Sequence, residues 1–97
     1  MSFKKKFALL GLTAALSAGA LAPAMAASMN VGGGVLEYGT NGSVAYSNYF
    51  HARMNHYSTV QANGANYSSG CTVANAWSFK SVTQIPGVSY QYFYNFC

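Results

Sequence analysis

Chemistry in a protein needs acids, bases, nucleophiles or ligands at close quarters, and this chain offers few. Beyond its first 26 residues it holds one carboxylate side chain, Glu37, no aspartate, and two histidines, His51 and His56. A pair of carboxylates for general acid–base work is therefore out of reach within one chain. No serine stands in a nucleophile-elbow sequence. His51 and His56 lie on either side of Arg53, with Glu37 as the sole further candidate ligand, a poor set for zinc. They read instead as polar residues bracketing a connection between strands. Gly32-Gly33-Gly34 lacks the Lys-Ser/Thr pair and the following helix of a phosphate loop, and reads as a flexible leader into a first strand. Cys71 and Cys97 are spaced too far apart for C-x-x-C redox chemistry, and two thiols alone make no zinc site. In an oxidising compartment they are expected to pair as a staple for the C-terminus, worth roughly 3–4 kcal/mol in the chain-entropy picture. No enzyme activity, no cofactor and no metal is expected.

The compartment is read from the N-terminus. Lys4, Lys5 and Lys6 form a basic start, Phe7 to Ala22 is an almost unbroken apolar run, and Ala24-Met25-Ala26 supplies a small-x-small cleavage pattern. Pro23 ends a helical run, because its ring removes a backbone donor. The run is shorter than the roughly 20 residues a membrane helix needs. Residues 1–26 are thus expected to be a cleavable signal peptide, and residues 27–97 one small secreted, extracellular domain. Cleavage changes the charge. The three lysines leave, and Arg53 and Lys80 face Glu37. Two cations are too few for a nucleic-acid binder, whose affinity rests on neutralised phosphates. They are also too few for a membrane-lytic peptide with a cationic face.

The elements that must position these residues read as strands. Gly, Ser, Asn, Thr, Tyr and Val dominate after the signal, and Leu36 is its only leucine, a composition that favours sheet over helix. Val44, Tyr46, Asn48 and Phe50 alternate with Ala45, Ser47, Tyr49 and His51. Val88, Tyr90, Tyr92, Tyr94 and Phe96 alternate with Ser89, Gln91, Phe93 and Asn95. Such period-two patterns mark half-buried strands. Gly39-Thr40-Asn41-Gly42 should join strands near 35–38 and 43–52, and Asn63-Gly64 should close a strand near 56–62. Residues 64–70 (GANYSSG) read as a loop. A strand near 73–80, a Pro86-Gly87 turn and a final aromatic strand follow. The expectation is five or six short strands in an all-β, small antiparallel sandwich or barrel. Eight tyrosines, four phenylalanines and Trp77 populate the secreted part. Some must form the core, since aliphatic residues are scarce, and the rest suit recognition, because tyrosine joins apolar area to a hydroxyl.

The strings VGGGVLEYGT (31–40), VAYSNYFH (44–51) and HYSTV (56–60), with Ala76-Trp77 and Phe93-Tyr94-Asn95-Phe96, resemble the lactococcin 972 family of secreted bacteriocins. The resemblance implies an antiparallel β-sandwich of two short sheets. It also implies an antibacterial protein that binds the cell-wall precursor lipid II and blocks septum formation in related bacteria, acts as a homodimer, and is encoded with a dedicated immunity or transporter partner. Cys71 and Cys97 have no counterpart in the type member, and the segment after Val60 matches poorly. The expected target is lipid II or another cell-envelope component. The contact residues expected on an aromatic and amide-rich sheet face are Asn48, Tyr49, His51 and Trp77. Arg53 or Lys80 would assist at a pyrophosphate, and backbone N–H groups would carry most of that contact. The competing expectation is a non-toxic surface protein that self-associates through strand edges.

Overall fold

The computed structural model describes residues 25–97; the remainder of the predicted signal peptide lies outside the described residues. Seven strands follow in chain order: β1 (Met25–Val31), β2 (Gly34–Thr40), β3 (Val44–His51), β4 (His56–Ala62), β5 (Ala65–Ser68), β6 (Ala76–Thr83) and β7 (Tyr90–Phe96). They form a four-stranded sheet, β1-β2-β3-β6, and a three-stranded sheet, β5-β4-β7. Every pairing is antiparallel. The expected all-β sandwich of two short sheets is what the chain adopts.

Three local expectations are corrected. Gly32 and Gly33 are not a leader. They are the two-residue turn of a hairpin in which Val31 pairs with Gly34, and both have positive φ, +66° and +84°. A two-residue turn that follows the right-handed twist of its strands needs positive φ at both positions, which glycine supplies without a Cβ clash. The hairpin gives the sheet an extra strand, β1, which includes Met25 and Ala26, so the predicted cleavage boundary falls inside it. Residues 65–68 are not loop but β5, paired to β4 across the Asn63-Gly64 turn. The strand expected near 73–80 runs three residues later, as β6. The turns at Asn41-Gly42 and Asn63-Gly64 and the strand Val44–His51 stand where the sequence put them. In the former, Asn41 Oδ1 accepts hydrogen bonds from the amides of Ser43 and Val44, both at 2.9 Å.

The second sheet covers β3, β6 and part of β2, while β1 lies along β2 and takes a hydrogen bond from Tyr49 of β3 at Val31. Between the sheets lie two adjoining clusters. One is apolar: Ala45, Val60, Tyr90 and Tyr92 are buried, with Tyr38, Ala62, Val82 and Val88 against them. The other is aromatic and hydroxylic. Tyr49 stacks on Tyr94 with centroids 4.5 Å apart and meets His56 edge-on at 5.5 Å. Its hydroxyl donates to the Val31 carbonyl at 2.7 Å. Ser58 and Ser78 hydrogen-bond each other, and Ser78 Oγ donates to the Tyr49 carbonyl at 3.2 Å. The hydroxyls of Ser47, Tyr49, Ser58 and Ser78 all have hydrogen-bond partners, as burial favours. Cys71 and Cys97 are bonded as expected, their Cα atoms 6.0 Å apart, tying the end of β7 to the loop before β6.

Candidate functional site

The register of β2, β3 and β6 sorts the side chains onto two faces. Ala45, Ser47, Tyr49 and His51 face the second sheet and are all buried. Val44, Tyr46, Asn48 and Phe50 face outward and are half-buried. Across β6, Phe50 stands opposite Trp77, and Asn48 opposite Phe79. Across β2, Phe50 stands opposite Val35, and Asn48 opposite Glu37. Cross-strand partners share a face. The outer face of the four-stranded sheet therefore carries an aromatic shelf, Phe50, Trp77 and Phe79, beside a polar row of Glu37, Asn48 and Tyr46.

The shelf is built of neighbouring rings. Phe50 and Trp77 lie 5.5 Å apart, and Trp77 and Phe79 lie 6.4 Å apart and near-parallel, at 25°. Phe79 is 67% exposed, and it adjoins two further rings on the same face, the kind of apolar patch that marks an interaction site. Beside it a shallow groove of about 610 Å³ runs between β3 and β6, lined by Tyr46, Asn48, Phe79, Lys80 and Ser81 among others. That is within the size range of small-ligand sites. Asn48 makes no side-chain hydrogen bond among the described residues. Tyr46 is held protonated above its ordinary range, first by partial burial and second by the nearby Glu37 carboxylate.

The structure brings Asn48 and Trp77 together on this face but separates the other expected contact residues from it. Tyr49 and His51, 0% and 4% exposed, point into the interior and have no surface to offer a ligand. Their roles are internal. His51 Nδ1 accepts hydrogen bonds from the backbone amides of Arg53 and Met54, both at 3.0 Å, which fixes the connection from β3 to β4. His56 is fully buried, and its ring nitrogens lie 2.7 Å from the Met54 carbonyl and 2.8 Å from that of Ala76. Both imidazoles are thus committed to the backbone around the crossing between sheets. Among the described residues no three His, Cys, Asp or Glu side chains gather as a metal site. Arg53 is exposed in the connection itself. Lys80 pairs with inward-facing Ser47 and so belongs to the opposite alternation of β6, reaching the groove from the sheet edge. Sequence reasoning missed Phe50 and Phe79. The signal was present in the alternation of Trp77 and Phe79 with Ser78 and Lys80, which puts both rings on one face.

The family described as bacteriocin (lactococcin 972) matches residues 32–93, a span that includes the glycine turn, the shelf and the polar row. No curated protein and no solved structure matches the chain.

Proposed function

Because the chain belongs to the lactococcin 972 family of bacteriocins, we propose that it is an exported antibacterial protein that binds lipid II through the outer face of the four-stranded sheet and blocks septum formation in related bacteria. The observation that carries this reading is the shelf of Phe50, Trp77 and Phe79. The interior is complete without it, with Tyr49, Tyr92 and Tyr94 filling the space between the sheets. Phe50, Trp77 and Phe79 lie outside that interior, on the face away from the second sheet. The near-neutral charge of residues 27–97 fits a folded binder better than a cationic membrane-disrupting peptide. Arg53, in the connection after β3, and Lys80, which lines the groove, are the cations available to a pyrophosphate. The signal peptide, residues 1–26, would direct export, and an immunity or transporter protein would protect the producer.

Growth inhibition of related strains, relieved by added lipid II, is the expected result; killing unaffected by a molar excess of lipid II would overturn the target. Dye release from liposomes lacking lipid II should be absent.

A second reading is favoured by β1. Among the described residues it is an edge strand, paired with β2 on one side and with no strand on the other, and Met29 on its inward side is 39% exposed. An open edge of this kind accepts a second strand. We infer that two copies pair here as a homodimer. Alone, without toxicity, the same edge would make a self-associating surface protein, recognised by assembly with concentration and no inhibition zone.

A further inference from the structure

We propose that the shelf and groove on the outer sheet face bind a neutral, hydroxyl-rich saccharide of the envelope, stacked on Trp77 and Phe79, rather than a phosphate. The inference rests on the envelope-binding reading above and assigns the chemical class that this face takes.

Three observations converge. The first is ring geometry. Trp77 and Phe79 are near-parallel, stacked neighbours at 6.4 Å, and Phe79 is open to solvent. A pyranose ring has an apolar face of C–H bonds that packs against an exposed aromatic ring, where dispersion and the negative π face both favour it. The second is the polar row. Asn48 stands directly opposite Phe79 and next to Glu37, and its amide is uncommitted among the described residues. An amide that donates and accepts, beside a carboxylate that only accepts, matches neighbouring hydroxyls, which do both. The third is charge. The outer alternation of β2, β3 and β6 carries the Glu37 carboxylate and no lysine or arginine. A phosphate placed on the shelf would meet the like charge of Glu37 on the same face, whereas a neutral sugar meets none of that repulsion. Lys80 lines the groove from the opposite alternation of β6 and is the one cation there.

Trp77 is the single tryptophan of the chain, so its fluorescence reports this face directly. Titration of the secreted protein with the trimer of N-acetylglucosamine should give a saturable change in Trp77 emission at millimolar or lower concentration. Inorganic pyrophosphate should leave the emission unchanged. Phe79→Ala should weaken the sugar titration about tenfold, the equivalent of losing one aromatic contact, and Asn48→Ala should weaken it several-fold. Phe79 is mostly exposed, so its variant should keep the native near-ultraviolet circular dichroism. No emission change with the trimer, an equal change with pyrophosphate, or unaltered affinity in both folded variants would overturn the assignment. The two readings fail separately. Sugar binding without lipid II relief of killing would remove the lipid II target alone. Relief of killing without sugar binding would remove the saccharide assignment alone.

Discussion

Tyr49 shows how one side chain can organise a small domain. Its ring is sandwiched between Tyr94 and the backbone of the glycine turn, and its hydroxyl caps the Val31 carbonyl. The glycines around it are a packing requirement. A Cβ on Gly32 would come within 2.6 Å of Tyr94 and 2.9 Å of the Tyr49 hydroxyl, and one on Gly34 would overlap the Phe50 carbonyl oxygen and press on the Tyr49 ring. Backbone cannot yield as a flexible side chain can. Gly34→Ala should therefore cost about 3 kcal/mol or more in urea unfolding, against about 1 kcal/mol for Tyr49→Phe, which loses one hydrogen bond. Tyrosine ionisation supplies a second test at this scale. Burial, followed by repulsion from neighbouring tyrosinates, holds Tyr49 and Tyr92 protonated well above the usual 10.0. In the unfolded chain they would release their protons near that value. The unfolded state thus binds fewer protons once the pH passes 10, and stability, complete below it, should fall as the pH rises further. Urea midpoints measured between about pH 9 and 11 should decline, and a midpoint that stays level would contradict the burial of these two hydroxyls.

At the scale of elements, the disulfide and the crossing from β3 to β4 invite direct tests. Replacing both Cys71 and Cys97 by serine should lower stability by about 2–4 kcal/mol and loosen first the end of β7 and the loop before β6, as seen by amide exchange. His51→Ala should speed exchange at Arg53 and Met54, whose amides it holds. The sequence made some of these elements plain and hid others. β3 and β4 were legible because Asn-Gly turns bound them and their side chains alternate. β1 was hidden because Met25–Val31 continues the small-residue end of the apolar leader, and a glycine triplet resembles a linker until its partner strand is known. β5 was hidden because Ala65, Asn66, Tyr67 and Ser68 are all exposed. It is held through backbone pairing to β4, which leaves no apolar pattern to read. The face of β3 was ambiguous for a related reason. Its inward set, Ala45, Ser47, Tyr49 and His51, is no more apolar than its outward set, Val44, Tyr46, Asn48 and Phe50. Only the second sheet decides which is covered, and this is why Tyr49 and His51 looked like surface residues beside Asn48.

For the whole molecule, the division of labour between its aromatic residues is the main result. Tyr49, Tyr90, Tyr92 and Tyr94 fill the space between the sheets, with Phe96 against Tyr49, while Phe50, Trp77 and Phe79 stand outside, where a partner would meet them. Phe79→Ala should accordingly reduce antibacterial potency without moving the thermal midpoint by more than a few degrees, a pairing checked by an inhibition assay and a melting curve on the same sample. The interior has a further consequence. Ser47, Ser58, Ser78, His51 and His56 are buried alongside Tyr49, so unfolding this domain hydrates many hydroxyl and imidazole groups for each aliphatic one. Apolar hydration raises the heat capacity of unfolding and polar hydration lowers it. Calorimetry should then find an increment below the usual ~12–15 cal/mol/K per residue. A smaller increment flattens the curve of stability against temperature, so the folded state should lose little on cooling, a useful property for a protein released into surroundings whose temperature its producer does not control.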